Sequence, residues 1–268
     1  MVPASEPVKN LQKIESMNYL KTLTAFGVAL LFCPAPGSAQ TVISSLPYTI
    51  TTAGVYVLNQ SLSYSAGSGI AITVKASNVT INLNGYGITN TSNQTTTNAI
   101  GIGEYNVENV TVENGEILGF KYGVYLNGPS GSANFNAGHI VQGLRLAYCT
   151  SEGILLENAS NCLVQNCQLS SMGTTGGGVY VGLGYGITVF SQNGGTRVYR
   201  CQVLNATETG FVGVASAQGS YFEQNLATSC NFGFAFGDNK EGYRDNASFG
   251  STTAAFTGGN DWGGNHSQ

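Results

Sequence analysis

Side chains able to carry acid–base chemistry are few in this chain, and many lie near one end. Beyond residue 39 the only Asp residues are Asp238, Asp245 and Asp261, with Glu223, Lys240, Glu241 and Arg244 close to them in sequence. An Arg can neutralise a ligand carboxylate, and a Lys or Glu can move a proton. Glu223, Lys240, Arg244 and Asp245 are therefore the candidate catalytic residues. Arg244 would neutralise a carboxylate, and Lys240 or Glu223 would handle the proton. The plainer reading of Glu223 with Arg244 is a surface ion pair, which contributes little, and for catalysis that reading is preferred. Tyr180, Tyr185 and Tyr199, with Phe190, are candidates for an aromatic platform beside a Gly-rich insert at 171–184, and Arg200 adjoins Tyr199. The competing reading packs these rings in a core or against a loop. Glu152, Glu157 and Glu208 fall on one side of neighbouring units. A solvated face explains them most simply, with Ca²⁺ capture a weak alternative. The chain has no Cys-x-x-Cys, and its imidazoles are His139 and His266, so neither a metal centre nor a cofactor is expected.

The elements that must position these groups repeat along the chain. Asn109-Val-Thr-Val-Glu-Asn114-Gly-Glu-Ile117 leads to Gly123-Val-Tyr-Leu126, and His139-Ile-Val141 leads to Gly153-Ile-Leu-Leu156. Asn161-Cys-Leu-Val-Gln-Asn-Cys-Gln-Leu169 leads to Gly186-Ile-Thr-Val189. Arg197 to Val203 leads to Gly210, and Tyr221 to Asn225 leads to Gly233. The last of these strand-opening glycines recur at roughly 23 residues, and polar or Gly-rich inserts at 127–138 and 171–184 lengthen the earlier steps. Period-2 alternation inside a short repeat makes each unit one turn of a coil. Like residues then stack roughly 4.8 Å apart in parallel strands. Asn114, Asn166, Asn225 and Asn246 lie at or next to a repeated turn, where Asn can hydrogen-bond along the stack. Alignment of the last units places Tyr199, Glu223 and Arg244 in one column and Arg200, Gln224 and Asp245 in the next. The fold class is all-β, a single-stranded right-handed parallel β-helix. Residues 40–68 are read as an N-terminal cap, 69–249 as coils and 250–268 as a C-terminal cap.

The stretches Pro47–Ile50, Gly54–Leu58, Gly69–Val74 and Ser77–Gly85 resemble the entry coils of the right-handed parallel β-helix repeat proteins, the pectate-lyase-like superfamily. The resemblance spans about 42–257. It implies an elongated coil stack, which hosts lyases, hydrolases, epimerases and adhesive proteins alike. It also implies where enzymes of this fold keep their chemistry, in Asp clusters or in Arg or Lys bases beside Ca²⁺. Those motifs are absent here. The preferred reading is a non-catalytic binding or structural module with a polysaccharide or cell-surface glycan as partner. The alternative is a divergent polysaccharide lyase or glycosidase. A metal-maturation accessory role is a weaker third reading, opposed by the scarcity of His.

Bulk properties narrow the classes further. Charged residues are 9% of 268 and the formal net charge is −4, so binding to nucleic acid through phosphate neutralisation is not expected. Hydrophobic residues at 42% exclude a disordered chain. Residues 17–39 read as a secretory signal. Lys21 precedes the apolar run Thr22–Phe32, which is too short to span a membrane, and Gly37-Ser38-Ala39 offers a cleavage site. Residues 1–16 are a doubtful extension ahead of it. The expected location is secreted, periplasmic or cell-surface, with no membrane span once the signal is removed. Of the five later cysteines, Cys167 and Cys201 occupy equivalent positions. Their spacing would suit a disulfide, although small apolar stack residues are the preferred reading.

Overall fold

The computed structural model describes residues 39–129 and 137–268. The signal segment before Ala39 lies outside the described residues, as does much of the 127–138 insert. The described residues form strands joined by turns, and the paired strands run parallel in two sheets. Each middle coil contributes two short strands to sheet A and one to sheet B. One coil comprises Leu163–Gln165, Gln168–Ser170 and Tyr185–Gly194, and the next comprises Arg197–Tyr199, Gln202–Leu204 and Thr209–Gln218. The end segments take part too: Gln40–Ile43 pairs with Gly54–Leu58, and Ala254–Thr257 pairs with Phe232–Phe236.

Alternation within each short strand sends every second side chain inward, and exact register stacks them. Val164, Val198, Phe222 and Tyr243 form one buried column. Ile187, Phe211 and Phe234 form another, which the partly buried Phe256 closes. The Phe211 and Phe234 rings are stacked 4.7 Å apart, and Phe234 and Phe256 4.9 Å apart. Each such side chain contributes about 1.5–3 kcal/mol by leaving water. Stability is thus spread along the coil axis, as expected of a solenoid.

The glycines that open the sheet B strands also stack, from Gly101 through Gly123, Gly153, Gly186 and Gly210 to Gly233. A Cβ added to Gly123 would lie 2.7 Å from the Gly153 carbonyl oxygen, and one added to Gly210 would lie 2.8 Å from that of Gly233. Here the repeated glycine makes room for the carbonyl of the next coil.

The turn between the two sheet A strands resolves the expected Asn ladder into two columns. Asn114, Asn166, Arg200, Gln224 and Asp245 share the left-handed turn position, with φ between 52° and 58°. Asn and Asp tolerate that conformation. One residue later, Cys167, Cys201, Asn225 and Asn246 face inward and are buried. Asn225 Oδ1 accepts the Cys201 N–H at 2.9 Å, and Asn246 Oδ1 accepts the Asn225 N–H at 2.9 Å. The five cysteines beyond residue 39 are all free and buried, so Cys167 and Cys201 stack as thiols. Burial pushes the Cys149 thiol up to about 12 and that of Cys162 up to about 11, which keeps both unreactive near neutral pH.

Candidate functional site

On the outward face of sheet A the strands Arg197–Tyr199, Tyr221–Glu223 and Gly242–Arg244 lie side by side. Their register places Tyr199, Glu223 and Arg244 in one column and Arg197, Tyr221 and Gly242 in the other. Arg197 and Tyr199 are two residues apart, so they share a face, as do Tyr221 and Glu223. The Glu223 carboxylate lies between two guanidiniums. Arg197 Nη2 donates to Oε2, while Arg244 donates to Oε1 from Nε at 3.0 Å and from Nη2 at 2.6 Å. Burial by itself would raise the pKa of Glu223, but the hydrogen bonds and charges of Arg197 and Arg244 outweigh it and hold the carboxyl below its ordinary value. Tyr199 lies under two guanidiniums, with Arg197 4.7 Å and Arg200 4.6 Å from its ring centre. Arg200 Nε also donates to Gln224 at 3.0 Å.

Gly242 leaves open the place where a side chain would stand, and the indole of Trp262 covers it. Trp262 meets Tyr221 with ring centres 5.3 Å apart, and both residues are about half exposed. Arg197, Tyr221, Glu223, Tyr243, Arg244 and Trp262 line an open groove of about 340 Å³. Sequence reading had not assigned Arg197, Tyr221 or Trp262 to a site. The period-2 spacing of Arg197 to Tyr199 and of Tyr221 to Glu223 was the available signal.

The remaining sequence candidates lie elsewhere. Lys240 is at the corner facing sheet B, where its Nζ lies 3.5 Å from Asp238 Oδ2 and 3.4 Å from the Ala215 carbonyl. It does not line the groove of Glu223 and Arg244. Asp245 takes the left-handed turn directly after Arg244 and is exposed. Tyr180, Tyr185 and Tyr199 do not form one platform, because Tyr199 is in sheet A, Tyr185 is in sheet B, and Tyr180 is in the insert, bridged to Thr174. Tyr185 instead follows Tyr122 and Glu152 in a sheet B column. Glu208 accepts a hydrogen bond from Asn231 at 3.3 Å.

Two further acids point inward. Glu104 and His139 are fully buried, with His139 Nε2 3.2 Å from Glu104 Oε1. His139 Nδ1 accepts the Val110 N–H at 3.3 Å, while His139 Nε2 and Glu104 Oε1 are close without meeting in hydrogen-bond geometry. Glu241 is also fully buried, and its stem fills the space left by Gly213. Burial pushes its carboxyl up to about 7 from an ordinary 4.5, with Asp238 acting in the same direction and Lys240 opposing it. A raised carboxyl pKa means the folded chain holds the proton more tightly than the unfolded chain. The stability due to Glu241 is therefore full below about pH 4.5 and is lost as pH rises to about 7. Glu223 has the opposite sign, since its contribution is lost as pH falls. Urea denaturation at about pH 5 and pH 8 should show Glu241→Gln gaining stability over the parent at the higher pH relative to the lower.

The sequence pattern of the "Right handed beta helix region" family matches residues 100–261. No curated protein matches the chain. Among solved structures, it is similar to the alginate lyase from Paenibacillus sp. str. FPU-7, with 15% identity, a TM-score of 0.46, and coverage of 86% of this chain and 88% of that one. It is also similar to the catalytic unit of the thermostable GH87 alpha-1,3-glucanase from Streptomyces thermodiastaticus strain HF3-3, with 13% identity, a TM-score of 0.39, and coverage of 85% and 62%. With the family pattern covering more than half its length and the described strands paired in parallel from coil to coil, the chain belongs to the right-handed β-helix family.

Proposed function

We propose that this protein is an exported saccharide-binding module and that the sheet A groove is its binding surface. The observation that carries this reading is the exposed Tyr221–Trp262 pair set beside the Arg197–Glu223–Arg244 array. Aromatic faces offer apolar contact to the C–H side of a sugar ring, and a few fixed polar groups orient it. Each guanidinium has five N–H donors. Glu223 engages only some of those on Arg197 and Arg244, so donors remain for hydroxyls or for the carboxylate of an acidic sugar. Both Arg side chains are about half exposed, at 47% and 52%.

The same geometry favours binding over catalysis at this cluster. A proton-transfer group works best with a pKa near the operating pH. Glu223 is held ionised, with both oxygens engaged, and Lys240 is at another corner. The test is isothermal titration of the purified protein with uronate and neutral polysaccharides, together with assays for unsaturated products and new reducing ends. Binding without turnover is expected, and Trp262→Ala should weaken it by about tenfold or more, as for an aromatic anchor. Turnover abolished by Arg244→Ala would replace this reading with the lyase or glycosidase one.

A further inference from the structure

The opposite kind of chemistry occupies the outward face of sheet B. Three tyrosine rings touch there: Tyr105 meets Tyr125 edge-on at 5.4 Å, and Tyr122 lies 5.6 Å from Tyr125. Their positions are fixed. The Tyr125 hydroxyl donates to Glu157 Oε2 at 2.6 Å, and Asn127 Nδ2 reaches the same hydroxyl at 3.4 Å. Asn158 Nδ2 in turn donates to Asn127 Oδ1 at 2.6 Å. Register places Glu152 between Tyr122 and Tyr185 on adjacent coils, and places Asn127 between Tyr105 and Glu157. The result is a partly exposed surface of tyrosine faces and carboxylates.

One cation of the chain already uses this surface. Lys121 Nζ lies 5.2 Å from the centre of the Tyr122 ring, with Asn98 Oδ1 at 3.4 Å. An ammonium over an aromatic face is attracted by the ring quadrupole. Burial, then the Glu157 carboxylate, pushes Glu152 up to about 7 despite Lys121. Glu208, one coil further on, adds to the field at Tyr185. Adjoining Lys121 and Tyr185 is a groove of about 520 Å³, lined also by Thr95, Asn98, Ser151 and Leu183. Its walls are tied together, since Gln94 Oε1 accepts the Gly176 N–H at 2.8 Å across the two loops. Its hydroxyls and amide, set beside Val181 and Leu183, suit a polyhydroxylated ligand with apolar ring faces, and the tyrosine–carboxylate face suits an ammonium.

We propose that the sheet B face is a second binding site, specific for a saccharide that carries a protonated amine, with Tyr105, Tyr122 and Tyr125 as the ring contacts and Glu157 as the counter-charge. It shares no residue with the sheet A groove, so either site can fail without the other. The test is titration of the full protein with a glucosamine oligomer and with its N-acetylated counterpart, which keeps the rings and loses the charge. The glucosamine oligomer should bind at least about tenfold more tightly. Tyr122→Ala and Glu157→Gln should each lower that affinity about tenfold, Tyr122→Phe should preserve it, and Trp262→Ala should leave it unchanged. Thermal melts establish that the variants are folded, and Tyr122→Phe serves as the folded reference if Tyr122→Ala is not. Equal affinity for the two oligomers, no binding of either, or tighter binding of an oligolysine peptide would each overturn the proposal.

Discussion

Asn246→Leu is expected to lower the unfolding free energy by about 3–6 kcal/mol. Asn246 is fully buried and serves three groups that water cannot reach. Its Oδ1 accepts the Asn225 N–H at 2.9 Å and Asn225 Nδ2 at 3.1 Å, and its own Nδ2 donates to the Phe222 carbonyl at 2.9 Å. Leucine has nearly the same volume, so little cavity forms, but the Asn225 N–H loses its partner, Asn225 Nδ2 keeps only the Val198 carbonyl, and the Phe222 carbonyl loses the amide donor. Each such loss costs about 1–3 kcal/mol. The ladder should also propagate the defect, because Asn225 holds the Cys201 N–H and the Val198 carbonyl through the same amide. The control is Asn166→Ala, which removes an exposed side chain from the left-handed turn column and should cost about 1 kcal/mol from backbone conformation alone. Urea denaturation of both variants measures the difference. Similar losses from the two would show that the two Asn columns are not physically distinct.

Gly186→Ala is the second large effect, with an expected cost of about 3 kcal/mol. An added Cβ would meet both Cγ atoms of Val203 at 2.6 Å and would crowd the Gly210 carbonyl. Val203 is packed in the core, and the carbonyl belongs to the next coil's backbone, so neither can move aside cheaply. Relief would require sheet B to open between Tyr185–Gly194 and Thr209–Gln218. Gly177→Ala, in the insert, is the matched control. Its φ is not positive, and its nearest neighbour is the Thr175 hydroxyl at 3.8 Å, so its melting temperature should stay within a degree or two of the parent's. A Gly186→Ala variant as stable as Gly177→Ala would mean that the glycine column is not sterically required.

These two columns show which parts of the fold were legible in the sequence. Strand-opening glycines and alternating Val, Ile, Leu and Phe are local patterns, and stacking repeats them at like positions. The pairing of Tyr199, Glu223 and Arg244 follows from the same alignment, because register in a parallel coil is one-dimensional. The Tyr199–Glu223–Arg244 column comes from coils free of inserts, where spacing alone sets the register. The turn was harder to read, since Asn serves both as a left-handed residue at 166 and as a buried ladder residue at 225 and 246. Those roles differ by one residue and by the face presented.

Sequence alone determined an all-β parallel coil, its glycine register and the neighbours within each column, since these depend only on spacing along the chain. Only the tertiary structure decided which wall each column occupies and what closes over it. Tyr185 and Tyr199 are near in sequence but fall on different sheets, because a coil turns between them. Lys240 and Arg244 part for the same reason, with Glu241 between them turned into the core. Trp262 reaches the Glu223 groove because its coil lies directly on Gly242, where no side chain resists it. The tyrosines of sheet B meet Glu152 and Glu157 only when coils from 98 to 194 are stacked. The candidate ligand surfaces are thus made by contacts between coils and across inserts, and these are the distances that repeat spacing does not encode.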